Sequence, residues 1–498
     1  MYFIGRLICT VLLVFGSMAI AMGAAEPKPD KETQKLSRQV VKAATALVKG
    51  NLAVSDKQFD LIVADPSFAK LTAREQHVSL ISSAELALHN GDKKKARERA
   101  IAANKTAVVS GSGWRIRATA AEARDWPEML LSLSALANGF PEELSVLSSA
   151  SILTIIRESE KSPAVSDARW ELLLALNRTG WNSDSPEAQV LWKDLTLHLL
   201  ENDRAAHADE AVRGINDLAI LVGMRADNRF AEVVKANAYR FDMSDVAELD
   251  IESRRAIVQQ RPRSLKALTQ LNEALFRAKR YDEVLQLTTE AIAQTLQKTG
   301  SPYQDQAEQL PWIINNKGRA LRRLNRLDEA VEYYEQAAKL TPNLVGHQIN
   351  LAAILARVGR TSDALAALSR TTGSVSPFGK MQMESVRLIV ALETGDSASI
   401  ENSLAYLAAH RLDDEATYQS GLLRADRMDQ AAQVLIQRLA TPATRFDALV
   451  ELHRVYDPIP TPSGNKLRER WLAIQQRLDV RAAIDSVAIL SPHELDLD

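Results

Sequence analysis

The sequence contains a single cysteine, Cys9, among its 498 residues. It therefore cannot form an internal disulfide or a site in which several cysteines bind zinc or an iron–sulfur cluster. Glycine and proline are scarce, at 20 and 17 residues, which excludes collagen and low-complexity chains. The formal charge of −2 gives no general reason for binding nucleic acid or a membrane surface. We expect no cofactor and no nucleic-acid partner.

Long apolar runs are also lacking, apart from residues 7–22. This run follows Arg6 and ends in small residues, the order typical of a secretory signal peptide. It is short for a membrane span, which needs about 20 apolar residues. We expect residues 1–24 to be a cleaved signal peptide, with an uncleaved anchor as the alternative. The mature chain would then be periplasmic or secreted, without a membrane span and without Cys9.

Residue patterns that carry catalysis or metal binding are not found. No two histidines have an i, i+4 spacing, and none stands in an HExxH pattern. His207 has Asp203 and Glu210 nearby on a helical spacing, but charge pairing on a solvent-facing helix explains this cluster better than chemistry does. Residues 109–113 lack both the order of a nucleophile elbow and the lysine of a phosphate loop. We therefore expect a chain that is not an enzyme and holds no metal.

What the sequence does contain is a helical spacing of apolar residues. Leu321, Leu324, Val331 and Tyr334 recur three and four apart, which is the stripe of an amphipathic helix. The breaks between such stretches are two to four residues long, as at Gly359-Arg360. Short breaks bring consecutive helices together as antiparallel neighbours. The sequence predicts an all-α chain of helical hairpins, which bury their apolar faces only by stacking on one another.

Residues 311–344 contain the clearest repeat. Gly318 and Ala330 are small where two helices of a hairpin would cross most closely, and Tyr334 fills the gap beside them. Pro342 stops the second helix. These residues and their spacing resemble the tetratricopeptide (TPR) repeat, whose period is 34 residues.

The resemblance extends to the neighbouring units, over residues 265–378. It implies an α-solenoid of antiparallel helical hairpins, a TPR-like superhelix. We expect one elongated array of about twenty helices, ending in a basic helix over about 465–485 and a mobile acidic tail. The expected divisions are 26–143 (TPR-like helical repeats), 144–260 (an irregular helical region), 265–442 (TPR repeats) and 443–498 (helical cap and tail).

In TPR arrays the first helix of each hairpin lines a concave groove, so the resemblance also implies a binding surface. We expect this groove to be basic and to bind a protein or peptide partner with acidic side chains, because arginine binds carboxylates through paired hydrogen bonds. The alternative is that these arginines only solvate helix surfaces. The residues placed in the groove are Lys266, Arg277, Trp312, Asn315, Arg319, Arg322, Arg323 and Arg357.

The functional hypothesis is a non-catalytic exported TPR scaffold that mediates protein–protein interactions in the cell envelope. One alternative is an enzyme, or a subunit of one, with its site in residues 144–260. Another is a purely structural component of an envelope assembly.

Overall fold

The computed structural model describes residues 30–182, 185–296, 300–371, 373–454, 462–490 and 494–496. These residues form α-helices joined by short turns and 3₁₀ helices, and the only β-type pairing among them is two isolated bridges. The predicted all-α fold of helical hairpins is therefore confirmed. The predicted signal peptide, 1–24, lies outside the described residues. Within the described ranges no helix is both long and apolar enough to cross a membrane.

The chain divides into two compact units, Met1–Leu195 and Thr196–Asp498. Helix α10, Pro186–Glu201, contains the division point. The helices of unit 1 before it are α1 (Lys31–Val48), α2 (Leu52–Ala64), α3 (Ala73–His89), α4 (Lys93–Ala103), α5 (Ser112–Ala120), α6 (Trp126–Gly139), α7 (Pro141–Leu144), α8 (Ser149–Ser159) and α9 (Ser166–Arg178).

Unit 2 continues with short helices and then with a series of regular hairpins. Its helices are α11 (Ala205–Ala211), α12 (Leu218–Ala226), α13 (Ala231–Ala236), α14 (Met243–Gln260), α15 (Leu265–Arg277), α16 (Tyr281–Thr295), α17 (Gln306–Arg323), α18 (Leu327–Leu340), α19 (Val345–Arg357), α20 (Thr361–Ser369), α21 (Pro377–Thr394), α22 (Ser397–Ala409), α23 (Glu415–Arg424), α24 (Met428–Ala440), α25 (Pro442–Glu451), α26 (Pro462–Gln475) and α27 (Leu478–Val487). The predicted divisions into repeat and irregular regions stay a prediction.

Polar side chains fix where individual helices begin. Before α3, the Thr72 hydroxyl accepts from the Glu75 N–H at 3.2 Å, and the Glu75 carboxylate accepts from the Thr72 N–H at 3.0 Å. This reciprocal pair satisfies two N–H groups that a helix start leaves without partners. At α21 the Ser376 hydroxyl accepts from the Gly379 N–H, and Gly395 ends the helix with φ at 70°. The left-handed conformation there suits glycine.

Four hairpins of unit 2 share one turn. In each, an arginine N–H donates to the carbonyl of a leucine five residues earlier, and the residue before the arginine is left-handed. This bond closes the end of the first helix and lets the second helix return beside it. The residues involved are Leu275, Lys279 and Arg280; Leu321, Asn325 and Arg326; Leu355, Gly359 and Arg360; and Leu422, Asp426 and Arg427.

Unit 2 closes on itself. Helix α12 packs against α25, where a Cβ on Gly223 would lie 2.6 Å from the Phe446 ring. Residue Asp227 pairs with Ala488 in an antiparallel bridge, and the Ile489 N–H donates to the Ala226 carbonyl at 2.9 Å. The expected elongated array would keep its ends apart, whereas α12, near the start of unit 2, packs against α25 and against the residues that follow α27. Apolar burial at this junction is the physical reason.

The cap consists of two helices, so the prediction of a single helix over 465–485 is wrong. Arg477 interrupts it because its backbone is extended and its side chain pairs with Asp429 at 2.6 Å. Trp471 of α26 is 2% exposed and belongs to the apolar cluster formed with α23 and α24. Arg470 donates to the carbonyls of Leu423 and Arg424, which end α23. The cap thus covers apolar surface and helix carbonyls together.

Candidate functional site

Helix α17 carries most of the predicted partner-binding residues, and many of its polar side chains are buried. Asn315, Asn316, Lys317, Arg319 and Arg322 are each no more than 9% exposed. Buried polar side chains require hydrogen-bond or ionic partners to offset the loss of water. The position of α17 is therefore tied to the neighbouring helices by specific polar contacts.

Arg319 is held from three sides. Its Nη1 lies 2.9 Å from Oε2 of Glu273 on α15. Its guanidinium carbon lies 3.9 Å above the ring of Phe276, also on α15, and a guanidinium stacks favourably in this position. Its Nη2 lies 3.6 Å from Oδ1 of Asp496. Two contacts from α15 therefore orient this arginine toward a carboxylate near the end of the sequence.

Arg323, one helical turn after Arg319, pairs with the same carboxylate. An Nη2–H of Arg323 donates to Oδ1 of Asp496, and the two side chains are 2% and 0% exposed. Burial, and then the negative charge of Asp496, raise the pKa of the neighbouring Tyr281 to about 12. A buried carboxylate of this kind is stable only when it is paired and hydrogen-bonded, as it is here.

The two residues before Asp496 are also bound by unit 2. The carboxylate of Glu494 lies 2.9 Å from Nζ of Lys279 in the turn between α15 and α16. The N–H of Leu495 donates to the carbonyl of His453 at 2.7 Å, just after α25. Leu495 is 0% exposed. The tail predicted to be mobile is thus packed in its described part, which we call the 494–496 segment.

Arg277, at the end of α15, pairs with carboxylates from earlier helices. Its Nη1 lies 2.8 Å from Asp217 and 3.8 Å from Asp250. Burial opposes the charge on Arg277, but these two carboxylates outweigh it and raise the pKa of the guanidinium. Burial also raises the pKa of Asp250, against the influence of Arg277 and Arg254.

We call the surface formed by Arg277, Arg319 and Arg323 the arginine face.

Trp312 and Asn315 link α17 to α19. The ring centroids of Trp312 and His347 are 4.4 Å apart. The side-chain amide of Asn350 donates to Oδ1 of Asn315 at 3.0 Å. Asn315 therefore contacts the next hairpin, and its side chain joins α17 to α19.

The remaining predicted residues are spread more widely. Lys266 is exposed at the start of α15, where its backbone N–H donates to Asp305 at 3.0 Å. Arg322 is 8% exposed on α17, and Arg357 is half-buried at the end of α19. Of the eight predicted partner-binding residues, Arg277, Arg319 and Arg323 thus form the arginine face. The other five, Lys266, Trp312, Asn315, Arg322 and Arg357, are not part of it. Their role in binding stays a prediction.

Sequence reasoning missed the acidic half of the site. Glu273 lies four residues before Arg277 and was not among the predicted partner-binding residues. Asp496 and Glu494 were assigned to a tail without a fixed position. The one signal in the sequence for Asp496 and Glu494 was charge complementarity. They lie in an acidic segment, and the last five residues of α17 include three arginines.

Unit 1 has a separate depression of about 680 Å³ beside α2 and the end of α3. Asp56 and Asp60 line it, and Nζ of Lys95 lies 3.1 Å and 2.6 Å from their carboxylates. Lys95 thus pairs with both carboxylates that line the depression. In the described ranges of both units, no group of three or more His, Cys, Asp or Glu side chains is arranged to hold a metal ion.

The helices α17 and α18 match a known family. The family model for the tetratricopeptide repeat matches residues 311–344, which include Gly318, Ala330, Tyr334 and Pro342. Residues 311–344 of the chain therefore contain a TPR repeat. In TPR terms, α17 is the first helix of the matched repeat, so the arginine face lies on first helices of consecutive hairpins. No curated protein matches the chain significantly in sequence.

Two solved structures are similar to the chain at low sequence identity. The crystal structure of the APC/C hetero-tetramer Cut9–Hcn1 has 12% sequence identity and a TM-score of 0.26, covering 96% of this chain and 98% of that one. The crystal structure of the yeast Tom70 has 11% identity and a TM-score of 0.33, covering 91% of this chain and 100% of that one. Neither score reaches 0.5, so neither similarity carries a functional inference for this chain.

Proposed function

We propose that this chain is an exported, non-catalytic TPR scaffold that binds a protein partner through the arginine face of unit 2. TPR proteins generally mediate protein–protein interactions. The observation that supports this particular surface is the pair Arg319 and Arg323, which hold the carboxylate of an extended segment against α17.

The face is suited to carboxylates because its arginines are oriented before any partner arrives. Glu273 and Phe276 fix the guanidinium of Arg319, so little side-chain freedom is lost when a carboxylate binds. Arg319 and Arg323 are separated by four residues on one helix, which places their guanidinium groups on the same side. Charge-assisted bonds of this kind are about twice as strong as neutral hydrogen bonds.

Export is the second part of the proposal, and it rests on the apolar run that follows Arg6. Cell fractionation with N-terminal sequencing of the mature protein tests it. We expect the protein outside the cytoplasm, beginning between Ala21 and Ala25. A chain recovered in the cytoplasm with Met1 or its neighbours still attached would contradict this part alone.

Partner capture tests the surface. The full chain is cross-linked in the native envelope fraction of its source organism, and captured proteins are quantified for wild type and for the double variant Arg319→Gln, Arg323→Gln. The matched control is Arg326→Gln, Arg360→Gln, which removes the same charge from exposed positions in the turns of two hairpins. Circular dichroism confirms that all three chains are helical.

We expect the partners captured by wild type to be retained by the control variant and lost from the arginine-face variant. An identical set of partners for all three chains would overturn the assignment of binding to this face. If the arginine-face variant loses its helical signal, the single variants Arg319→Lys and Arg323→Lys replace it, since lysine keeps the charge but not the paired hydrogen bonds.

A further inference from the structure

Three consecutive residues near the end of the sequence are bound by three different parts of unit 2. Glu494 pairs with Lys279 in a hairpin turn, and the backbone of Leu495 bonds to His453 after α25. Asp496 pairs with the arginines of α17, which precede it by more than 170 residues. The 494–496 segment therefore crosses the arginine face as a separate strand of chain and is not part of a hairpin.

The manner of binding is that of a recognised peptide. Residue Leu495 forms a parallel bridge with Arg454, so its backbone is paired as in a short piece of sheet. The three residues differ in their burial. Leu495 is 0% exposed and Asp496 is 1% exposed, whereas the Glu494 side chain is 59% exposed. Backbone hydrogen bonds combined with pockets for particular side chains are a common way of recognising an extended segment.

The specificity of the face follows from those two buried side chains. A leucine followed by an acidic residue meets both requirements, because the first removes apolar surface from water and the second neutralises Arg319 and Arg323. Replacing the carboxylate by an amide would remove the charge that both guanidinium groups share at this buried position, which is costly.

We infer that the 494–496 segment is an internal ligand of the arginine face, and that a partner binds by displacing it with an extended Leu–Asp or Leu–Glu sequence of its own. This inference rests on the proposed function and adds the chemistry of the partner and an autoinhibited resting state. A tethered segment acts at an effective concentration of roughly millimolar. The apparent affinity for a partner is the intrinsic affinity multiplied by the fraction of chains in which the segment has left the face.

A peptide supplied in trans tests the inference on the full chain. The probe is a fluorescent peptide with the chain's own residues 491–498, SPHELDLD. Its binding is measured for wild type, for Asp496→Asn, and for the matched control Asp485→Asn, an exposed carboxylate on α27. A second variant, Leu495→Ala, weakens the segment while leaving both arginines and the carboxylate in place.

We expect Asp496→Asn and Leu495→Ala to bind the peptide at least tenfold more tightly than wild type and Asp485→Asn do. The peptide SPHELNLD, which lacks the central carboxylate, should bind the Asp496→Asn chain at least tenfold more weakly than SPHELDLD. The inference is overturned if wild type and both segment variants bind SPHELDLD equally, if none binds it, or if the two peptides bind alike.

The outcomes for the two proposals are separable. If partner capture depends on Arg319 and Arg323 while the peptide gives any of the overturning results, the proposed function stands and the internal ligand is wrong. If the peptide behaves as expected while partner capture ignores both arginines, the segment is an internal ligand and the face is not the partner site.

Discussion

Gly318 on α17 lies against Tyr334 on α18 so closely that a Cβ on the glycine would be 3.2 Å from Cδ2 of the tyrosine ring. The same Cβ would be 3.3 Å from the Ala330 carbonyl oxygen. Tyr334 is 6% exposed and Ala330 0%, so neither neighbour can move into solvent to make room. This crossing sets the distance between the two helices and, through α17, the position of the arginine face.

Gly318→Val should therefore destabilise unit 2. A branched side chain overpacks the crossing, and we expect the free energy of unfolding to fall by about 2 kcal/mol. Urea unfolding followed by circular dichroism measures it. The control is Gly139→Val at the end of α6, where a Cβ meets no atom within 4 Å. Equal losses for the two variants would show that backbone propensity, and not the crossing, explains the glycine.

The shared hairpin turn gives a prediction that depends on backbone conformation alone. Gly359 has φ at 79° and an added Cβ would meet no atom within 4 Å. Gly359→Ala should cost about 1 kcal/mol, because a Cβ disfavours the left-handed region. Gly346→Ala is the matched substitution within α19, with its nearest contact at 3.7 Å, and should cost nothing. Comparable thermal midpoints for Gly359→Ala and wild type would contradict the turn assignment.

His347 predicts a pH dependence of stability. Burial lowers its pKa from 6.5 to about 4, its ring contacts the Trp312 ring at a tilt, and Nδ1 lies 2.7 Å from the Thr341 hydroxyl. The unfolded chain then binds a proton more readily than the folded chain, so stability is lost as pH falls from about 6.5 towards 4. The loss attributable to this residue approaches about 3 kcal/mol at the acid end.

Comparison with His347→Phe isolates this contribution, because phenylalanine keeps the ring and cannot titrate. Urea unfolding is measured at several pH values between 4 and 7. The difference in free energy of unfolding between the two chains should change with pH in favour of the variant as the solution becomes acid. A constant difference across this range would mean that His347 is not buried in the neutral form.

Much of the fold follows from local sequence features. The spacing of Leu321, Val331 and Tyr334 defines the helices, and Gly318 with Ala330 defines their crossing, because each involves residues within one repeat period. The sequence analysis did not predict the break at Arg477. The side chain of Arg477 pairs with Asp429, which is 48 residues away, and such a pairing leaves no periodic pattern in the sequence.

The candidate site was predictable only in part, for the same reason. Helical spacing places Arg319 and Arg323 on one side of α17, and the repeat assigns α17 as a first helix. Their counter-charges come from elsewhere in the chain: Glu273 is 46 residues earlier and Asp496 173 residues later. Pairings over such separations depend on how the hairpins stack, and on the packing of α12 against α25.

The most direct test of the account is a double-mutant cycle on Arg323 and Asp496. The free energy of unfolding of the full chain is measured for wild type, Arg323→Gln, Asp496→Asn and the double variant. Each single change breaks the buried Arg323–Asp496 pair by removing one of its charges and should cost about 3 kcal/mol. We predict that the double variant loses less than the sum, with a coupling of at least about 1 kcal/mol. Losses that add within about 0.5 kcal/mol would contradict the account, because residues in contact do not behave independently.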